Sequence, residues 1–215
     1  MNITEKAVRI YSSREDWVDG VIHVTGMLFA INASAWLLWH VTGAPAAVSV
    51  TVYCIGLLAM IFASAIYNMV PETARPKQIL RRIDHAAIFI MIAATYTPFA
   101  AMRLSAPFGT EILVAIWICA SIGIALKVLF PRRFETAAIA LYLGMGWMVI
   151  GVLKPLSASV ATLDFWLLIG GGLVYSAGVA FYVIERIPFH KAIWHAFVLV
   201  AVVMHFSAIA LEFAA

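Results

Sequence analysis

Residues 48–69 read VSVTVYCIGLLAMIFASAIYNM, an apolar run without one charged side chain. The hydrocarbon core of a bilayer is about 30 Å thick, so a helix needs roughly 20 mostly apolar residues to cross it. This run meets that length, and six others accompany it. Working outward, they cover about 21–42, 84–102, 111–130, 136–153, 165–184 and 192–211. Membrane strands would alternate polar and apolar residues, which these runs do not, so helices are the expectation. The fold class expected is therefore all-α, a seven-transmembrane helical bundle at residues 21–211 behind a polar segment at 1–20. The totals agree: 64% of the 215 residues are hydrophobic and 12% charged, against roughly 45–50% and 25% in soluble domains. The first 20 residues lack the apolar core of a signal peptide, so the first span is expected to act as an uncleaved anchor.

Orientation follows from the basic residues. Lys6, Arg9, Arg14, Arg75, Lys77, Arg81, Arg82, Lys127, Arg132, Arg133, Arg186 and Lys191 fall at one end of the seven spans, and only Arg103 and Lys154 at the other. Lys and Arg accumulate on the cytoplasmic side. The expected topology has a cytoplasmic N-terminus and an external C-terminus. Nothing in this pattern suggests nucleic acid; membrane lipids, and a lipid-like ligand, are the expected partners. Cys54 and Cys119 lie in apolar runs and read as small buried residues. The small residues Gly170–Gly172, Ser176, Ala177 and Gly178 suit close helix packing, and Pro98 is expected to kink the third span. His40 reads as interfacial, and Trp36, Trp39, Trp166 and Tyr53 as an aromatic belt.

Ionisable groups within spans are costly and mark candidate sites. His23, Asp84, His85, His195 and His205 are of this kind, with Ser64, Asn68 and Lys191 as polar company. All but His205 lie toward the basic end. Ser64 and Asn68 are four apart, as are Lys191 and His195, so each pair shares a helix face. Two such pairs with one carboxylate would make a compact polar site. The plainer reading leaves Asp84 and Arg82 as boundary markers and the histidines hydrogen-bonded within the bundle.

The chain resembles the hemolysin III family, the bacterial branch of the progestin and adipoQ receptor proteins. The resemblance is carried by EDWVDGVIHVTG (15–26), SAIYN (64–68), RIDHAAIFIMIAATYTPF (82–99), YLGMGWMVIGVLKPL (142–156), GGGLVYSAGVAFYVIERIPF (170–189) and AIWHAFVLVAVVMHF (192–206). It implies a seven-helix bundle in a bacterial inner membrane and a zinc site near the cytoplasmic side. That site takes a histidine ending an S-x-x-x-H motif in span two and an H-x-x-x-H pair in span seven, with the span-three aspartate linked through a water. Relatives are tied to hydrolysis of lipid amides, for which a zinc-bound water is a suitable nucleophile.

Here Ser64 matches the motif serine, but Asn68 stands for its histidine. His195 matches the second histidine of the pair, but Lys191 stands for the first, with His190 one residue earlier. Asp19 replaces the family's usual asparagine. Asn and protonated Lys do not serve as zinc ligands. Ordinary zinc binding is thus expected to be lost, Lys191 pairing with Asp84 and Asn68 bonding between them, in a protein of structural, regulatory or transport-like role. The alternative is a zinc-dependent membrane hydrolase of a lipid amide, using His195 and His190 as ligands and Asp84, with Ser64, in catalysis. A pore or stress-sensing role is a third. His190 stands about 140° around the helix from His195, so the alternative needs a late helix start or a bulge.

Overall fold

The computed structural model describes residues 12–214; Lys6, Arg9 and the rest of residues 1–11 lie outside them. Among the described residues every regular element is a helix, and none is a strand. Its helices are α1 (Ser13–His40), α2 (Ala44–Met69), α3 (Lys77–Met102), α4 (Phe108–Leu129), α5 (Glu135–Gly146), α6 (Leu153–Ser159), α7 (Thr162–Val183) and α8 (His190–Phe213). Among the described residues, seven stretches are long and apolar enough to cross a membrane. Six are single helices, and the fifth is the run Glu135–Ser159.

That fifth span is broken: α5 ends at Gly146, and Trp147–Val152 form a 3-10 helix before α6. The tighter turn leaves α-helical bonds unmade, and Tyr96 of α3 compensates. Its hydroxyl donates to the Gly146 carbonyl at 2.9 Å and accepts from the Val149 amide at 2.9 Å. Away from water, such orphaned backbone groups need a partner from a neighbouring helix.

The first span starts well before residue 21. Ser12 caps it, accepting from the Glu15 amide while Glu15 answers to the Ser12 amide, the reciprocal capping box. Asp19, expected in a polar segment outside the span, is therefore inside a helix and buried. At α2, Lys77 Nζ donates to the Tyr67 and Val70 carbonyls, both at 2.7 Å, and so satisfies the helix C-terminus.

Packing runs α7–α8–α1–α2–α3, then α4 and α5 on α3, with α6 returning lightly to α7. Lipid tails are as apolar as leucine, so close fit rather than water exclusion holds these faces together. Leu37, Val50, Leu57, Val202 and Ile209 are fully buried in the larger core. Between α7 and α8 the glycines decide the fit. A Cβ at Gly171 would stand 2.4 Å from the His205 ring, and one at Gly178 2.8 Å from Phe197 Cβ. His205 Nε2 in turn bonds the Leu168 carbonyl at 3.0 Å.

Two expectations are adjusted. Tyr53 is no belt residue: it is fully buried in the core, whereas Trp36, Trp39 and Trp166 are exposed. Cys54 is a buried free thiol, but Cys119 is only half-buried. His40 is exposed, stacked on Trp36.

Candidate functional site

The polar residues gather where α1, α2, α3 and α8 meet at the basic end. On α1, Glu15, Asp19 and His23 recur every four residues and make one stripe. The stripe faces α8 rung by rung. Glu15 Oε1 accepts from the Phe189 amide at 2.8 Å, which matters because Phe189 enters α8 in the left-handed region at φ 58°. One turn deeper, Asp19 Oδ1 meets His195 Nδ1 at 2.5 Å and Asp19 Oδ2 stands 3.4 Å from Lys191 Nζ. Deeper again, the His23 and His195 rings lie 4.5 Å apart.

Lys191 thus pairs with Asp19, which corrects the expected pairing with Asp84. Among the described residues Asn68 does not bridge Lys191 and Asp84: its Nδ2 donates to Ser64, to the carbonyl at 2.9 Å and the hydroxyl at 3.3 Å. Asp84 is buried, with Ser64, His23, Arg81 and Lys191 around it. His190 is the first residue of α8, and its Nδ1 meets the Phe181 carbonyl at 3.2 Å. The helix neither starts late nor bulges, so His190 does not join His195. His85 turns toward α5, where its Nδ1 is 3.9 Å from Glu135. Glu135 also accepts from Arg81 at 2.9 Å and Lys127 at 2.5 Å.

These groups border a cavity of about 710 Å³ inside the bundle, within the usual range for small-ligand sites. His23, Ser64, Asn68, Asp84, His85 and Lys191 line its basic end, and Phe99, Leu104 and Leu156 its far, apolar end. Trp147 Nε1 donates to Ser176 Oγ at 3.0 Å and links the broken fifth span to α7 across the wall.

The family's zinc position does not fit a metal here. Of the three places the motifs assign, one holds an amide bonded to its own helix, one an ammonium on a carboxylate, and only His195 an imidazole. The residue that sequence reasoning left out is Asp19. Its spacing from His23 was the available signal, obscured by placing the span's start at residue 21.

Residues 11–206 match the family model described as Haemolysin-III related. The chain belongs to that family. Within it, the chain is 37% identical over 193 residues to the Hemolysin-3 homolog of Bacillus subtilis, covering 88% of this chain and 90% of that protein. It is 35% identical over 201 residues to Hemolysin-3 of Bacillus cereus, covering 92% and 91%. The human Monocyte to macrophage differentiation factor is 30% identical over 166 residues, 74% of this chain and 67% of that protein. This hemolysin III family member is a multi-pass membrane protein with seven apolar helical spans.

Proposed function

We propose that this family member binds a lipid-like amphiphile inside its bundle. The headgroup sits at the polar, basic end, which faces the cytoplasm of a bacterial inner membrane, and the tail lies along the apolar length. The observation that carries this reading is the cavity itself. It joins a charged end, offering donors from Arg81, Asn68 and Lys191 and acceptors from Asp84 and Glu135, to walls of Phe99, Leu104 and Leu156. Water alone has little reason to fill the apolar part, and an apolar tail does. Groups of both signs favour a headgroup that both donates and accepts, such as an amide or a hydroxyl.

The alternative, a zinc-dependent hydrolase of a lipid amide, has less support. Asp84 beside Ser64 is a plausible acid–base pair in a buried setting, but the family's ligand positions lack two imidazoles.

Gly172 lines the cavity, and a Cβ there meets nothing within 4 Å. Gly172→Leu should fill cavity space without disturbing the packed wall. A fluorescent polyene fatty amide should bind the purified protein saturably, and Gly172→Leu should weaken it by about tenfold or more, a loss of roughly 1.4 kcal/mol. Unsaturable binding, or equal binding by both proteins, would refute the reading.

A further inference from the structure

We propose that Asp19, His23 and His195 form a binding site for a divalent transition metal, zinc by its chemistry, displaced from the position the family motifs describe. The site is built between the first and last spans, on the α1 stripe. It draws two of its three ligands from α1, and it uses neither Asn68 nor Lys191. The proposal does not depend on a ligand in the cavity.

Three observations support it. One donor atom of each residue lies within 4.8 Å of the other two. Two imidazoles and a carboxylate are a zinc donor set that leaves a fourth position open. His23 is 6% exposed, and among the described residues its Nε2 is buried without a hydrogen-bond partner. A buried polar atom in that state calls for a reason, and an unfilled ligand position is one.

The distances sharpen the argument. His23 Nε2 stands 3.6 Å from Asp19 Oδ2, too far for a hydrogen bond. Two donors at zinc bond lengths around one tetrahedral ion stand about 3.3 Å apart, so this pair already has ligand spacing. His195 Nδ1 and Asp19 Oδ1, at 2.5 Å, are hydrogen-bonded. With one carboxylate oxygen as ligand, this pair would open by about 0.8 Å for Oδ1 to share an ion with His195.

Lys191 is the competitor. Its ammonium holds Asp19 Oδ2 at 3.4 Å, with the side chain 23% exposed in the first turn of α8. From there its long stem can carry the charge outward to the membrane surface. A dication entering among Asp19, His23 and His195 replaces that single charge, so metal binding and the Asp19–Lys191 pair exclude each other.

The test uses the full chain, purified in detergent without a histidine tag and titrated with Co²⁺, whose visible absorption reports tetrahedral nitrogen–oxygen ligation. Wild type should develop a saturable band at about one ion per chain, which zinc abolishes. His23→Gln and Asp19→Asn, each checked for helical circular dichroism, should lose it, and Asn68→Ala should keep it. Lys191→Met should bind Co²⁺ more tightly, an effect that a merely structural role for the cluster would not give. No band in wild type, or bands of equal strength in His23→Gln and Asp19→Asn, overturns the proposal. If one variant fails to fold, the other and wild type still decide.

Discussion

Asp19 holds the first and last spans together through His195 and Lys191. Breaking a fully buried ion pair costs about 3–5 kcal/mol because a charge is left stranded. Lys191 is partly exposed, so solvent discounts the loss to about 1–2 kcal/mol. Lys191→Ala should lower the melting temperature in detergent by several degrees, at about 2–4 °C per kcal/mol for a chain of this size. In an Asp19→Asn background the same change should cost much less. Equal costs in both backgrounds would show that the two residues are uncoupled. The same change in an Asp84→Asn background should keep most of its cost, since the direct ion pair of Lys191 is with Asp19. The sequence made Lys191 stand out at the head of the seventh span, but pointed to Asp84 as its partner. Helical spacing restricts a residue to a face of its own helix and does not say which helix that face meets. Asp84 and Asp19 were both available, and the ladder from Glu15 to Phe189 fixes the choice.

Among the elements, the fifth span is the one whose character the sequence concealed. An apolar run at 136–153 predicts a continuous helix, yet Gly144, Gly146 and Gly151 weaken helical preference there, and the chain tightens into a 3-10 turn at Trp147–Val152. Tyr96 holds this segment by two hydrogen bonds. Tyr96→Phe removes both and leaves the Gly146 carbonyl and the half-buried Val149 amide without this partner, at a cost of about 1–3 kcal/mol. Hydrogen–deuterium exchange at Val149 and its neighbours should quicken in that variant, while the middle of α2 stays unchanged. If Val149 exchanges as slowly as before, the tyrosine is not its anchor. The α7 glycines, by contrast, were legible as packing residues, because small side chains in a span have few other uses. Gly178→Leu should destabilise the α7–α8 contact by about 1–3 kcal/mol through overpacking against Phe197 and Trp194. A thermal melt no lower than wild type would contradict that packing.

For the whole molecule, the seven spans and the all-helical class could be read from hydropathy alone, because lipid leaves helices as the only structure for runs of this length and pattern. The gathering of polar residues at one end was legible too, since alternating spans carry His23, Asn68, Asp84 and His195 to a single depth. The cavity was not, because it arises from how helices α1 to α8 together enclose space. Orientation is testable by labelling in intact cells. With Cys54 and Cys119 replaced by alanine, Arg133→Cys should resist a membrane-impermeant maleimide and Ser157→Cys should react; the reverse pattern would invert the topology. The central claim is that the bundle takes in an amphiphile, and native mass spectrometry of the purified chain tests it most directly. Wild type should carry a bound species of lipid-like mass that Gly172→Leu lacks. A wild-type chain that flies bare, or a variant that retains the same species, would contradict the claim.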